Sequence, residues 1–207
     1  MRHGYRRKAM ATGAAAVMAA TGPDHRADYQ AFLDCLQTAL PGALLLADST
    51  QPAYFAAAQY HPAHVRSFAS AATGYGTLGY ALPAAIGAKL ARPDAPVIAL
   101  IGDGGLQFTL PELASAVEAG AGIAVLVWNN ERYDMIAQNF LDAGLEPIAC
   151  DPYTPDFPGI ARASGCEAAR AASLSELSAH LKASAQRKVP TLIEIRETDF
   201  LDPNLAT

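Results

Sequence analysis

Apolar positions along this chain fall into two alternating kinds of run. Short unbroken stretches at 43–47, 96–101, 123–128 and 191–195 have the length and continuity of strands buried on both faces. Between them, apolar residues recur at helical spacing. Residues 28–40 carry Phe32, Leu33, Leu36 and Leu40 and stop at Pro41-Gly42. Residues 82–90 read as a helix that tolerates Pro83 in its first turn, and 111–119 as one turning Leu110, Leu113 and Val117 inward. Helices are also predicted over 133–141, over 157–163 with Asp156 in the capping region, and over 173–186. In the last, Ser173 and Glu176 form a capping box. Residues 66–71 are a weaker strand candidate. Strands alternating with helices predict an α/β fold, one parallel sheet with helices on both faces. No internal repeat or domain-scale linker follows Asp28. The expected organisation is one domain over 28–200, a linker remnant or disordered N-terminus over 1–27, and a tail over 201–207.

Composition narrows the class. Of 207 residues, 51% are hydrophobic and 17% charged, which describes a core-rich globular domain rather than a disordered one. A net charge of −5 supplies no basic stripe for nucleic acid. The three cysteines, Cys35, Cys150 and Cys166, lack the paired spacing of a disulfide or metal framework, as expected in a reducing, cytoplasmic setting. His61 and His64 beside Pro62 read as a solvated loop. Arg6-Arg7 ahead of Ala14–Ala20 superficially follows an export signal, but that apolar part is mostly small residues and a linker remnant is the plainer reading. No stretch is long and apolar enough to span a membrane.

Chemistry concentrates between Gly102 and Asn130. The run at 96–101 delivers a lone carboxylate among glycines, Gly102-Asp103-Gly104-Gly105. The run at 123–128 delivers the amide pair Asn129-Asn130. Two parallel strands joined by a helical crossover bring such tips side by side at the carboxyl edge of a sheet, where open α/β folds bind ligands. One carboxylate, one amide and nearby carbonyls form a hard-oxygen site of low charge. That suits Mg²⁺ already holding a phosphorylated ligand, because the ion takes several of its six oxygens from substrate phosphates. Glycines let backbone amides approach phosphate oxygens, and a following helix would add its positive end. The plainer alternative, a capped strand end beside a loop amide pair, leaves the joint occurrence unexplained.

This segment resembles the diphosphate-binding motif of the thiamine-diphosphate-dependent enzymes, the family of acetolactate synthase, benzoylformate decarboxylase and pyruvate decarboxylase. Upstream, the stretch from Gly74-Tyr75-Gly76-Thr77-Leu78-Gly79 to Leu90 resembles a helix-opening signature of the same family. The likeness spans about 28–197. It implies the cofactors thiamine diphosphate and Mg²⁺, with Asp103, Asn130 and the carbonyl of Arg132 as metal ligands. It implies Leu78 as the aliphatic wedge beneath the bent cofactor and Gly76 as the carbonyl that accepts from its amino group. Thr50, Gln51, Gly102, Gly104, Gly105 and the backbone N–H of Tyr133 are implied contacts of the diphosphate.

Two departures stand out. Relatives commonly carry Tyr-Gly after the amides, where this chain has Tyr133-Asp134-Met135-Ile136. Asp134 and Gln138 there are candidates for meeting a polar or basic substrate tail, against the plainer reading of solvated helix positions. The combination of Ala47-Asp-Ser-Thr-Gln-Pro52 with Ala72-Thr-Gly-Tyr-Gly-Thr-Leu-Gly79 resembles 2-oxo acid decarboxylases acting on a guanidino acid. Second, family enzymes place an activating glutamate on a pyrimidine-binding domain for which this chain has no room. No catalytic residue is therefore expected on this chain. The expected function is the diphosphate- and Mg²⁺-binding portion of a 2-oxo acid decarboxylase or carboligase, inactive alone and completed by a pyrimidine-binding domain or subunit in a homo- or hetero-oligomer. The alternative is a truncated, catalytically inactive cofactor-binding or interaction module. A nicotinamide-dependent dehydrogenase is the disfavoured third reading.

Overall fold

A computed structural model describes residues 26–201; the readings of 1–25 and 202–207 lie outside the described residues. In chain order the elements are α1 (Arg26–Ala39), β1 (Leu44–Ala47), α2 (Gln51–Gln59), β2 (Phe68–Ser70), α3 (Ala81–Ala91), β3 (Val97–Gly102), α4 (Asp103–Gln107) and α5 (Glu112–Glu118). They continue with β4 (Ala124–Asn129), α6 (Asp134–Asp142), α7 (Phe157–Ala163), β5 (Glu167–Arg170), α8 (Leu174–Ser184), β6 (Thr191–Arg196) and α9 (Glu197–Phe200). The strands form one six-stranded sheet in the order β2-β1-β3-β4-β6-β5, and every adjacent pair is parallel. The expected α/β architecture is present.

Strand alternation sends successive side chains to opposite faces. Ile98 and Leu100 of β3 and Leu126 and Trp128 of β4 pack with Phe32, Leu36, Ala53, Leu177 and Leu181, so α1, α2 and α8 cover that face. Ala99, Ile101, Val125 and Val127 pack with Leu82, Leu113 and Phe157, so α3, α5 and α7 cover the other. Trp128 anchors the first face, edge-on to Phe32 at 5.4 Å and to Tyr29 at 5.8 Å between ring centroids. Leu113 is fully buried, while Leu110 and Val117 pack against the second cluster from its margin.

Order and coverage together define a switch point. From β1 the chain crosses to β2 through α2 on the first face. From β3 it crosses to β4 through α4 and α5 on the second. The loops leaving neighbouring strands β1 and β3 therefore diverge, and a crevice opens between them at the carboxyl edge.

Several sequence expectations need correction. Helix α2 begins where only a loop is expected; its sequence signal is Thr50 as N-cap with a proline in the first turn. Strand β5 escapes sequence reading because Glu167-Ala-Ala-Arg170 is a short edge strand with exposed ends and no apolar run. Strand β2 is shorter than the predicted 66–71, because Arg66 takes a left-handed backbone with φ 66°. Asp156 makes no side-chain cap for α7; its Oδ1 accepts from Arg170 Nη2 at 3.2 Å. The capping box of α8 is half standard. Ser173 Oγ accepts from the Glu176 amide, but the Glu176 carboxylate accepts from Ala172 N–H instead of Ser173 N–H.

Candidate functional site

The crevice between the β1 and β3 loops widens into a cleft of about 210 Å³. Its lining includes every residue that the resemblance implies for cofactor or metal: Thr50 and Gln51 after β1, Gly76 and Leu78 before α3, Gly102–Gly105 after β3, and Asn130, Arg132 and Tyr133 after β4. Strand register explains the convergence. Gly102 pairs with Trp128, and Ala47 with Leu100, so the three strands end at one level.

Asp103 sits at the centre of this edge and is only 2% exposed. Burial pushes its carboxyl up to about 6, opposed by the nearby amides of Gly104, Asp103 itself and Arg132. Among the described residues its Oδ2 has no hydrogen-bond partner. A buried carboxylate held this way is ionised near neutrality and lacks a counter-charge. The helix that begins at Asp103 has five residues, too short to contribute a macrodipole, so the expectation of a helix end behind the glycines reduces to individual amides. Gly104 is required sterically: a Cβ there would lie 2.3 Å from the Tyr133 ring.

The two asparagines divide their work. Asn129 is buried; its Nδ2 donates to Glu194 Oε1 at 2.7 Å, and its Oδ1 accepts from Glu131 N–H at 3.1 Å. Glu194 in turn accepts from Arg170 Nε at 2.5 Å. Asn129 thus pins β4 to β6 and shapes the turn in which Glu131 takes φ 57°. Asn130, half-buried, faces the cleft.

Tyr133 differs from expectation. Its N–H already donates to the Cys150 carbonyl at 2.8 Å, so that amide is not free for a phosphate. It is the ring, lying over Gly104, that lines the cleft. Leu78 is half-buried, lines the cleft and belongs to neither core cluster, so it is not an ordinary core leucine. Gly76 has φ 66°, a left-handed conformation that glycine adopts without strain. Gln138 donates to Asp142 on the exposed face of α6, whereas Asp134 turns to the cleft and accepts from Gln51 Nε2 at 2.7 Å.

Sequence reading missed Asp48 and Tyr54. Asp48 is fully buried and accepts from Ser49 N–H at 2.9 Å and Gly79 N–H at 2.6 Å. It ties the loop after β1 to the segment holding Gly76 and Leu78, and burial raises its pKa against those two amides. It follows closely on an apolar run, as Asp103 does. Tyr54 enters the cleft from α2, which the sequence reading lacked. His61 and His64 are exposed. Among the described residues no group of three or more His, Cys, Asp or Glu is placed to hold a metal, and no helix is long and apolar enough to cross a membrane. The three thiols are free.

Residues 48–195 match the family described as thiamine pyrophosphate enzyme, C-terminal TPP binding domain. The chain is 42% identical to a probable 2-ketoarginine decarboxylase of Pseudomonas aeruginosa over 81% of its own length and 30% of that relative's. It is 41% identical to the mitochondrial acetolactate synthase catalytic subunit of Saccharomyces cerevisiae, over 59% of this chain and 18% of that one. Among solved structures it resembles a thiamine diphosphate-dependent 4-hydroxybenzoylformate decarboxylase from Rhodococcus jostii, with a TM-score of 0.72 and 30% identity across 82% of this chain and 32% of that chain. The chain thus spans about a third or less of the length of these relatives.

Proposed function

Since the chain belongs to the thiamine pyrophosphate enzymes as their C-terminal TPP-binding domain, we propose that its cleft holds thiamine diphosphate through Mg²⁺ and serves a 2-oxo acid decarboxylase. Asp103 and Asn130 supply side-chain oxygens to the ion, and Arg132 its carbonyl. Gly102, Gly104, Gly105, Thr50 and Gln51 border the diphosphate. Leu78 supports the bend of the cofactor and Gly76 offers a carbonyl to its amino group. Tyr133 contributes its ring.

The observation that carries this reading is Asp103 Oδ2, buried and without a partner at the meeting point of three strand ends. The donor set suits the group. One carboxylate and one amide leave most of an octahedral ion's oxygens to come from a diphosphate or water, and the tight contact at Gly104 keeps a side chain out of the approach. When bound, thiamine diphosphate supplies the electron sink that makes loss of carbon dioxide from a 2-oxo acid feasible. This chain's part is to fix that cofactor's orientation and wall off water.

Decarboxylation rather than carboligation, and a guanidino 2-oxo acid as substrate, are favoured by the likeness to the Pseudomonas relative over most of this chain. Activity requires a pyrimidine-binding domain or subunit. In support, α6 buries only Ala137, and Ile136, Leu141, Leu145, Ile148 and Tyr153 on it and the loop beyond are exposed, a run of apolar surface that suits a permanent partner. A cytoplasmic location fits the free thiols.

Calorimetry of thiamine diphosphate with the purified chain, with Mg²⁺ and with EDTA, tests the reading. Binding is expected only with the metal, and Asp103→Ala or Asn130→Ala should abolish it, while Thr50→Ala weakens it less. Equal affinity in EDTA overturns the metal assignment; no binding under either condition overturns the cofactor assignment for this chain.

A further inference from the structure

The charges around the cleft are one-sided. Of its lining side chains, Asp103 and Asp134 are acidic, and Arg132 is the basic one. Arg132 Nε lies 3.0 Å from Asp151 Oδ1, so its charge is engaged with a carboxylate outside the lining. Asp103 is assigned to the metal. Asp134 is left as a second carboxylate with no metal duty assigned to it.

Asp134 is the first residue of α6, where a carboxylate favours a helix for electrostatic reasons alone. It makes no hydrogen bond to the amides of its own helix, however. Its Oδ2 accepts instead from Gln51 Nε2, a residue of another element, at 2.7 Å, and Oδ1 has no donor among the described residues. Gln51 therefore fixes the carboxylate on the cleft wall with one oxygen still open. Tyr54, Met135 and Ile136 line the same cleft and supply apolar and aromatic surface. A carboxylate held open in a cleft that also carries an aromatic side chain can receive a planar cation, through charge-assisted hydrogen bonds and stacking.

We propose that Asp134 is the specificity-determining residue of this cleft, receiving the cationic end, guanidinium or ammonium, of the substrate, with Gln51 as its positioning residue. The inference rests on the cofactor reading above and adds the group that selects among 2-oxo acids.

The test uses unreactive carboxylates that lack the oxo group: guanidinobutyrate, aminovalerate and hexanoate. Each is titrated by calorimetry into the full chain containing thiamine diphosphate and Mg²⁺, beside Asp134→Asn and Asp134→Glu. The wild-type chain is expected to prefer the cationic probes over hexanoate by about tenfold or more, the scale of a charge-assisted hydrogen bond. Asp134→Asn should remove that preference and Asp134→Glu should keep part of it. A helix-stabilising role alone would not make affinity depend on the tail. Guanidinobutyrate ahead of aminovalerate identifies a bidentate guanidinium partner, and the reverse order identifies ammonium. Equal binding of all three probes by the wild-type chain, or the same loss for all three in Asp134→Asn, overturns the proposal while leaving the cofactor reading intact. Failure of the wild-type chain to bind thiamine diphosphate overturns the cofactor reading and this proposal together.

Discussion

The interior of the sheet and its carboxyl edge follow opposite rules. In β3 and β4 every residue is buried, the side chains are apolar or small up to Asn129, and the backbone is paired on both sides. A few ångströms beyond, the loops bury Asp48, Thr50 and Asp103. They leave Asp103 Oδ2 and Gln51 Oε1 without partners, an arrangement that costs about 1–3 kcal/mol per group relative to a satisfied one. The interior is built for stability and the edge is built against it. An unpaired buried carboxylate is tolerable because the surrounding sheet over-determines where it sits, and it becomes favourable once a cation arrives.

That contrast is open to direct attack. The largest effect on stability should come from the interior. Leu126, fully buried between α1, α2 and α8, should cost about 2–5 kcal/mol on truncation to alanine, read by chemical denaturation. A loss below about 1 kcal/mol would mean the interior is less tightly packed than described.

The edge should behave in the opposite sense. The Asp103 carboxyl is raised to about 6 when folded and is near 4 in an unfolded chain. The native state therefore holds this proton more tightly. Its contribution to stability is full below about pH 4 and lost as pH rises through about 6. Asp103→Asn should flatten that part of the stability–pH profile and leave the metal-free chain at least as stable at neutral pH. Metal-linked cofactor affinity should run the other way, falling as the pH drops below about 6, because proton and metal compete for the same oxygens. An affinity that is flat across that window would remove Asp103 from the metal's ligands.

The smallest stability effect belongs to Leu78. Being half-buried and outside both core clusters, it should lose under about 1.5 kcal/mol on truncation to alanine, less than a core leucine. Bound thiamine diphosphate should nevertheless change its circular dichroism in Leu78→Ala and much less in Leu78→Met. A stability loss in the core range, with an unchanged cofactor signal, would return Leu78 to ordinary packing.

How much of this was legible follows from the same contrast. The interior strands could be read because continuous apolar runs have few other uses, and α1 and α8 because their periodicity is long enough to register; α3 was read from Pro83 in its first turn and the small residues of its packing face. Helix α2 was hidden by its alanine-rich sequence, which carries little amphipathic signal. β5 was hidden because an edge strand with exposed ends has no apolar run. At the site, spacing brought Asp103, Asn130, Gly76 and Leu78 into view. It could not show that the Tyr133 amide was already engaged, since Cys150, which accepts from it, is remote in sequence and sits beside it only through folding. Nor could it show that Asp48 is buried and bonded to Gly79, although both carboxylates follow apolar runs.

Asn129 and Asn130 are adjacent and chemically identical, yet they are not interchangeable parts. Asn129 is held by Glu194 on one side and the Glu131 amide on the other, so an aspartate there would set two carboxylates against each other inside the protein. At Asn130 the same change would place a negative charge on the wall of an open cleft, where a bound cation could accept it. The site can therefore drift in ligand charge, and with it in metal preference, at one of the two positions without the fold resisting. At its neighbour the identical mutation is blocked before function is ever consulted. Evolvability in this domain is thus set one residue at a time, by which way each amide of the pair is turned.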